Sequence, residues 1–369
     1  MNYKNKALVL AGALGFAGAA QAQVTIYLTG STAFRAETFN SINTLYGGGL
    51  TGRQPSGATT SSSKVTYTGT IPALYGAQTV TIKTSFSGSV EGIINLTGAP
   101  NPSGIVQPTY LNTDNSVDSN TIADMALSDV FQDTTDYSSA SFAALDETQV
   151  GVVCFAWTKG LTAPAGVSNI SHQQAQQFFA SGTVPLSFFT GNTADTGPIY
   201  LTGRNSVSGT RLTYQADCGF GANAVSTLYK LSGNNPVIDP TGQTGGGNVK
   251  DILNVNTATA PFIGTLGTSD AAGVNGGANR LTYNGVAFSK GAVQNGQYSL
   301  WGYQHLFFRP GISATKKTFV NGRTQPEAPL SSNGLANAID TALSTSANNV
   351  QLSTMNVGRS SDGAPIFPN

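Results

Sequence analysis

The chain has 369 residues, of which 39% are apolar, 9% aromatic and only 10% charged, with a formal net charge of +0. The length suits about two domains, the aromatic content argues against a disordered chain, and the neutral balance argues against a nucleic-acid-binding protein. Two histidines and two cysteines are too few for a zinc, iron–sulfur or haem site, so the sequence predicts no metal and no cofactor.

The first 22 residues have the features of a secretory signal peptide. Two lysines precede an apolar run over residues 7–20, and Ala20-Gln21-Ala22 has the small residues of a cleavage site. The run is too short for a transmembrane helix, which needs about 20 apolar residues, and no later stretch reaches that length. The alternative is a buried N-terminal helix. We expect an exported mature chain that begins at Gln23, has 16 basic and 18 acidic residues and does not insert into the membrane.

Beyond this segment, short apolar strands alternate with helical patterns along most of the chain. In the first half, the predicted elements are a strand over 24–28, a helix over 34–45, an exposed loop over 47–64, a strand over 80–86, a helix over 90–94, an irregular insertion over 99–120, an apolar segment over 123–130 and a strand covered on both faces over 150–157. In the second half they are a helix over 171–180, a strand over 198–201, a loop over 233–248, strands over 262–267, 281–288 and 298–308, and a helix over 334–343. This alternation predicts α/β units with mainly parallel sheets.

Cys154 and Cys218 belong to a chain that we expect in an oxidising compartment. A disulfide between them would close a loop of about 65 residues and stabilise the fold by about 4 kcal/mol. Two buried thiols are the alternative, because Cys154 lies in an apolar run. The sequence leaves both possibilities open, and no histidine or second cysteine lies close by in the chain to indicate catalysis or metal binding.

Three segments share one design, in which a strand leads into a loop of Gly, Ser and Thr and then into a helix. They are Gly30-Ser31-Thr32-Ala33, the segment from Ser85 to Ser89, and Ser208-Gly209-Thr210. A helix start offers unpaired N–H groups and a partial positive charge, and glycine lets the backbone approach an anion. Each loop alone is explained as a helix N-cap. Three loops together, with Arg204 four residues before Ser208, indicate an oxyanion site because a guanidinium presents a fork of donors.

The order of these segments resembles that of the phosphate-binding proteins of bacterial ABC transporters, which are type II periplasmic binding proteins. The resemblance extends over nearly the whole mature chain. The segments that carry it are Leu28-Thr29-Gly30-Ser31-Thr32, Ser87-Gly88-Ser89 with Glu91-Gly92-Ile93-Ile94, Ala123-Asp124 through Ser128-Asp129, residues 151–157, residues 171–182, Arg204 with Ser208-Gly209-Thr210, Ile263-Gly264 and Tyr298-Ser299-Leu300.

The resemblance implies an α/β fold of two lobes, with two mainly parallel sheets flanked by helices, two crossover strands and a ligand cleft between the lobes. Lobe one would hold residues 24–151 and 300–369, and lobe two residues 152–299. The residues implied to bind phosphate are Ser31, Thr32, Ala33, Ser87, Asp129, Arg204, Ser208, Gly209 and Thr210. Ser31 and Ala33 would contribute backbone N–H groups, and Ser85 and Ser89 are alternatives to Ser87.

The sequence departs from the family pattern next to Arg204. Ser206 and Val207 stand where the family has Asp and Gly, and since that aspartate normally steadies the arginine, Arg204 is expected to be held differently. Arg35 follows the first loop and is either an extra cation near the cleft or a solvent-facing helix residue. The predicted loop over 47–64 and the insertion over 99–120 would alter the rim of the cleft.

An aspartate in an anion site is useful if the ligand carries a proton. Asp129 could accept a hydrogen bond from monohydrogen or dihydrogen phosphate, whereas sulfate has no such proton to donate. An N-cap or a surface turn is the alternative role for Asp129. The sequence therefore predicts a monomeric periplasmic protein that captures inorganic phosphate for the permease of an ABC transporter.

Two other functions remain open at this stage. The same fold could bind sulfate, molybdate or tungstate, or the chain could be a secreted structural or adhesive protein that has lost the ligand. An enzyme is not predicted, because no histidine is near Ser208 in the sequence to activate its hydroxyl. His172 follows a predicted helix cap and His305 lies in an aromatic run, so structural roles are expected for both.

Overall fold

The computed structural model describes residues 23–100, 108–119, 121–321 and 333–369. The predicted signal peptide, residues 1–22, lies outside the described residues, as does part of the predicted insertion over 99–120. Within the described ranges, none of the helices is long and apolar enough to cross a membrane.

Short strands and helices alternate along the described chain. The strands are β1 (Val24–Gly30), β2 (Leu50–Gln54), β3 (Lys64–Thr70), β4 (Thr79–Phe86), β5 (Tyr110–Leu111), β6 (Val117–Asp118), β7 (Met125–Ser128), β8 (Asp146–Lys159), β9 (Asn169–Ile170), β10 (Thr183–Pro185), β11 (Pro198–Thr202), β12 (Leu228–Ser232), β13 (Asn235–Asp239), β14 (Phe262–Gly267), β15 (Thr282–Tyr283), β16 (Trp301–Phe308), β17 (Val357–Gly358) and β18 (Phe367–Pro368). The α-helices are α1 (Arg35–Tyr46), α2 (Pro72–Tyr75), α3 (Ser89–Thr97), α4 (His172–Ser181), α5 (Ser187–Thr190), α6 (Gly209–Asp217), α7 (Gly246–Leu253), α8 (Thr268–Ala271), α9 (Lys290–Gln294), α10 (Ala314–Asn321) and α11 (Leu335–Leu343).

The large sheet has ten strands in the order β10-β11-β14-β8-β16-β7-β1-β4-β3-β2. β1 runs parallel to both β4 and β7, and β11 runs parallel to β14. The other neighbouring pairs are antiparallel. The α/β class is therefore confirmed, and the parallel groups that the sequence predicts are joined into one mixed sheet rather than standing as two separate sheets.

Two central strands join the halves of this sheet. β8 pairs with β16 over residues 146–154 and with β14 over residues 155–159, so it passes from one half to the other. Residues 150–158 of β8 and all of β16 are buried. A strand covered on both faces requires a continuous apolar run, which is why the sequence pattern over 150–157 identifies the centre of β8.

Several predicted loops contain regular structure. The predicted exposed loop over 47–64 contains β2, which pairs with β3 at the edge of the large sheet, and the predicted loop over 233–248 contains β13 and the start of α7. The predicted strand over 281–288 is reduced to the two residues of β15. An edge strand such as β2 has a neighbouring strand on one side only and is more exposed to water. It therefore needs few apolar residues, and the hydrophobic pattern that would predict a strand is correspondingly weak.

The two cysteines are free, buried thiols, so the structure shows the second of the two alternatives that the sequence left open. Cys154 lies in β8, and Cys218 follows α6, where its thiol donates to the Gln215 carbonyl oxygen at 3.5 Å. Burial raises the pKa of both thiols, that of Cys218 to about 12. Both are protonated at neutral pH and therefore poor nucleophiles.

The register of the parallel strands brings three chain segments to one edge. Gly30 at the end of β1 pairs with Phe86 at the end of β4 and with Leu127 near the end of β7. Ligand sites of α/β sheets lie beyond the carboxyl ends of the parallel strands. The segments that follow β1, β4 and β7 are therefore adjacent at the edge where such a site is expected.

Candidate functional site

The segments after β1, β4 and β7 form one wall of a small pocket, hereafter the inner pocket. Ser31 and Thr32 come from the first segment, Gly88 and Ser89 from the second, and Asp129 from the third. They reach one point because the three parallel strands end side by side. Two of the three segments predicted as Gly/Ser/Thr loops thus form a single surface together with Asp129.

Gly30 allows this wall to pack closely. Its φ is 108°, in the left-handed region that favours glycine, and a Cβ at this position would overlap the main chain of Leu127. The close approach lets the Ser31 N–H donate to the Leu127 carbonyl oxygen at 2.8 Å. Gly30 therefore fixes the position of the first loop against β7.

We expect Gly30→Ala to destabilise the protein by about 2 kcal/mol or more, because it combines an unfavourable φ with a backbone overlap. The shift in the midpoint of urea unfolding measures this effect. Gly52→Ala is the matched control, since Gly52 lies in an edge strand and a Cβ there would have no atom of the described residues within 4 Å. Equal midpoints for the two variants would show that the approach of Gly30 to Leu127 is not tight.

The opposite wall of the inner pocket comes from the chain after β11. It contains Arg204 and the first residues of α6, namely Ser208, Gly209 and Thr210. The first N–H groups of a helix lack intrahelical acceptors, so this end of α6 is electropositive. The two walls are in contact at the rim, where the Val90 N–H donates to the Val207 carbonyl oxygen at 3.2 Å.

Gly209 lies directly against the first wall. A Cβ on Gly209 would meet the carboxylate of Asp129 and would lie 2.6 Å from the Ser89 hydroxyl oxygen. The neighbouring Thr210 hydroxyl donates to Asp129 Oδ2 at 3.2 Å. The absence of a side chain at position 209 is therefore what allows the amino end of α6 to approach Asp129.

Asp129 is buried, with 2% of its surface exposed, and its carboxylate is only partly satisfied. Oδ2 accepts the bond from Thr210, whereas Oδ1 has no hydrogen-bond partner among the described residues, and neither does the Ser208 hydroxyl. Burial raises the pKa of the Asp129 carboxyl, and the charge of Arg204 opposes that shift. An ionised carboxylate oxygen in this position can accept a hydrogen from a ligand.

Arg204 is held by main-chain oxygens of a segment some 40 residues away. Its Nε donates to the Gln243 carbonyl oxygen at 3.2 Å and its Nη2 to the Thr244 carbonyl oxygen at 3.1 Å. These bonds use two of the five N–H donors of a guanidinium. Burial lowers the pKa of Arg204. The negative charges of nearby carboxylates, first that of Asp129, oppose this shift. Arg204 is thus anchored by main-chain oxygens, and Ser206 takes no part in these two bonds.

Most of the residues predicted from the sequence meet in the inner pocket, and two do not. Those in the pocket are Ser31, Thr32, Asp129, Arg204, Ser208, Gly209 and Thr210. Ala33 and Ser87 instead line a larger neighbouring cavity, and Ser89, one of the two alternatives to Ser87, lines the inner pocket. The carbonyl oxygen of Ser85, the other alternative, accepts a bond from the Thr29 hydroxyl.

Ser31 and Ala33 were expected to flank the anion with their backbone N–H groups, and in this structure both N–H groups have partners within the protein. The Ser31 N–H donates to Leu127, and the Ala33 N–H donates to the Ser31 hydroxyl oxygen at 3.2 Å. The first turn after β1 satisfies its own donors, because the serine side chain folds back over it. Donors for a ligand on this wall must therefore come from other groups, such as hydroxyls.

The larger cavity, hereafter the outer cavity, has a volume of about 680 Å³. Its charged lining residues are Arg35, Glu91, Lys250 and Asp270. Arg35 donates to the Thr60 carbonyl oxygen at 3.3 Å and to the Ser63 hydroxyl at 3.4 Å. Of the two roles that the sequence allowed for Arg35, the structure shows the cation near the cleft.

The residues that surround Arg204 were not predicted from the sequence. Glu91 and Asp270 are close enough to oppose the lowering of the Arg204 pKa, and Gln243 and Thr244 hold its guanidinium. One signal was available, since three glycines at 245–247 stand at the amino end of α7. The contacts themselves join distant parts of the chain, which local patterns do not reveal.

Both histidines lie away from these sites. His305 is fully buried in β16, where its Nδ1 is 2.8 Å from Glu147 Oε2, and the His172 N–H donates to the Asn284 side chain at 2.7 Å. Neither residue lines the inner pocket or the outer cavity. The two histidines therefore lie outside both candidate ligand spaces.

No family model and no curated protein matches the chain, but solved structures match it over most of its length. A protein from Clostridium perfringens, assigned as a phosphate ABC transporter substrate-binding protein and solved with bound phosphate, is 14% identical with a TM-score of 0.54, and the match covers 89% of this chain and 99% of that one. A DING protein is 15% identical with a TM-score of 0.53, and a human phosphate-binding apolipoprotein is 14% identical with a TM-score of 0.52; both matches cover 89% of this chain and 91% of the other. The chain therefore has the two-lobed α/β fold of the phosphate-binding proteins of ABC transporters, as the resemblance in sequence implied.

Proposed function

We propose that the protein binds inorganic phosphate in the inner pocket and delivers it, in the periplasm, to the permease of an ABC transporter. One observation carries the proposal: the Arg204 guanidinium, the amino end of α6 and the unpartnered Oδ1 of Asp129 line one pocket. Such a site has donors for the oxygens of an anion and an acceptor for its proton. Protonated phosphate supplies both kinds of atom.

The proposed ligand site lies between two lobes. We assign residues 24–151 and 300–369 to lobe one and residues 152–299 to lobe two, with β8 and β16 as the strands that join them. Asp129 would then belong to one lobe, and Arg204 and Thr210 to the other. A ligand held by groups from both lobes favours the closed arrangement over an open one and excludes water from the site.

The expected affinity follows from ordinary interactions. Charge-assisted hydrogen bonds contribute about 1.5–3 kcal/mol each, and micromolar binding corresponds to about −8 kcal/mol. Arg204, the hydroxyls of Thr32 and Ser208, and the first amides of α6 are enough donors to reach that value, after the cost of lobe closure. No metal or cofactor is required.

The geometry favours phosphate over the other oxyanions that the sequence allowed. A sulfate oxygen has no hydrogen to offer Asp129 Oδ1, so sulfate would leave this buried acceptor both unpaired and repelled. Two of the similar solved structures are named as a transporter substrate-binding protein and as a phosphate-binding apolipoprotein, and neither name describes an enzyme. We therefore propose a binding role without catalysis.

The direct test is a thermal unfolding panel on the purified protein after removal of carried-over phosphate. We expect phosphate at 100 times its dissociation constant to add about 2.7 kcal/mol to the free energy of unfolding. Sodium chloride at equal ionic strength is the control, and sulfate, molybdate and tungstate complete the panel. A larger shift with one of those three anions would contradict phosphate specificity, and no shift with any of the four would favour a protein that has lost its ligand.

A further inference from the structure

The inner pocket and the outer cavity share their boundary residues. Thr32 lines both spaces, and two other segments contribute successive residues to the two sides. Gly88 and Arg204 line the inner pocket, while their neighbours Ser87 and Asn205 line the outer cavity. The inner pocket and the outer cavity are therefore adjacent, with only these segments between them.

The outer cavity is the size of a site for a small organic molecule. Its volume of about 680 Å³ lies within the range of about 300–1,000 Å³ that is usual for such sites. An inorganic anion in the inner pocket would leave this space filled with water only. The size alone thus permits a ligand larger than inorganic phosphate.

The charges of the outer cavity are balanced. Arg35, Lys250, Glu91 and Asp270 are its charged lining residues, and their formal charges cancel. Asp270 also lies against Gly246 in the first turn of α7, where its carboxylate compensates the positive end of that helix. A second strongly anionic group is therefore not favoured in this cavity.

The remaining lining suits a ligand with several hydroxyl groups. Few apolar side chains take part, among them Phe86 and Val153, whereas hydroxyl and amide groups are abundant. The hydroxyl and amide residues are Thr32, Thr60, Ser61, Ser63, Ser87, Asn205, Thr244, Asn248, Thr268, Ser269 and Asn349. Carboxylates accept hydrogen bonds from hydroxyl groups, and side-chain amides both donate and accept them. These groups and the two carboxylates therefore match a polyol better than an aromatic base.

We infer that the protein also binds phosphomonoesters of polyols or sugars. Their phosphate group occupies the inner pocket and their hydroxylated carbon chain or ring occupies the outer cavity. The inference rests on the proposed function, since it takes the inner pocket as the site of the phosphate group. It adds a substrate class that a site for inorganic phosphate alone would not accept.

The test compares three ligands by titration calorimetry on the purified, phosphate-free protein. The ligands are inorganic phosphate, glycerol 3-phosphate and glucose 6-phosphate. The titrations are run at pH 5.5, because the second pKa of a phosphomonoester is about 6 and the esters then keep a proton for Asp129 Oδ1. We expect at least one ester to bind within about tenfold of the affinity for inorganic phosphate, a difference of no more than about 1.4 kcal/mol. If phosphate binds and both esters bind more weakly than that, the inference is wrong while the proposed function stands; if none of the three binds, both fail.

A variant that fills the outer cavity locates the ester. Gly247 lies in the first turn of α7, lines the cavity and has an ordinary φ, and a Cβ there would have no atom of the described residues within 4 Å. Gly247→Trp is expected to weaken ester binding by about tenfold or more, and to change the affinity for inorganic phosphate by less than about twofold. Gly291→Trp is the matched control, because Gly291 in α9 has the same open surroundings and lies outside the cavity.

The two tryptophan variants separate the possible results. Selective loss of ester binding in Gly247→Trp, with none in Gly291→Trp, supports the placement of the organic group in the outer cavity. Unchanged ester binding in Gly247→Trp, or an equal loss for esters and phosphate, overturns it. The unfolding midpoints of both variants show that each is folded before its affinities are compared.

Discussion

Replacing Arg204 with alanine is expected to weaken phosphate binding by about 100-fold or more. The guanidinium lines the inner pocket and Arg204 is 4% exposed. Two of its five N–H donors bond to main-chain oxygens, and the others are available to a ligand. Loss of two charge-assisted hydrogen bonds to an anion would cost about 3–6 kcal/mol, and every 1.4 kcal/mol is about tenfold in affinity. Titration calorimetry on the phosphate-free protein measures this loss.

The control for Arg204→Ala must separate binding from folding. Arg211→Ala removes a half-buried arginine of α6 that donates to the Ala224 carbonyl oxygen at 3.2 Å and does not line the pocket. Arg204→Lys keeps the positive charge but lacks the fork of donors, so we expect it to recover only part of the affinity. Wild-type affinity in a folded Arg204→Ala variant would remove this arginine from the site.

The parts of the site that the sequence predicts are those that each depend on one short segment. Ser31, Ser208 and Gly209 lie where a strand gives way to a helix, and both transitions have local signatures in hydrophobic pattern and capping residues. Parallel pairing of β1 with β4 and β7 then brings the first-wall segments together. An alternating α/β pattern is enough to predict that arrangement, since it favours parallel strands.

The rest depends on contacts between distant residues. The choice between Ser87 and Ser89 is set by where α3 begins: Ser89 is its first residue and lines the inner pocket, whereas Ser87 lies two residues earlier. The anchoring of Arg204 by Gln243 and Thr244 joins loops that no local pattern connects. The outer cavity could not be predicted either, because its walls come from segments throughout the chain.

Asp129→Asn is expected to leave phosphate binding measurable while reducing the preference for phosphate over sulfate by about tenfold or more. A site built to accept a ligand's hydrogen rejects an analogue without it by up to about 10⁴-fold. Asp129 Oδ1 is the acceptor, since it is buried and has no partner among the described residues. An asparagine amide can donate instead, which removes the repulsion of sulfate. The ratio of the two dissociation constants, measured by calorimetry, gives the effect.

The same variant has a second, independent readout in the pH dependence of stability. Burial raises the pKa of Asp129 above its unfolded value, so the ionised carboxylate lowers the stability of the ligand-free protein at neutral pH. That cost disappears as the pH falls through the raised pKa, and the wild-type protein should therefore gain stability relative to Asp129→Asn on acidification. Asp146→Asn is the control, because Asp146 is an exposed partner of Lys317 that does not line the pocket, and such surface pairs contribute about 0–1 kcal/mol.

An unchanged phosphate-to-sulfate ratio, together with the expected change in pH dependence, would mean that Asp129 is buried in the site without discriminating between the anions. Selectivity would then have to come from another property of the anion, such as its charge or size, because the N–H donors of Arg204 and α6 contact oxygen atoms and cannot accept a hydrogen.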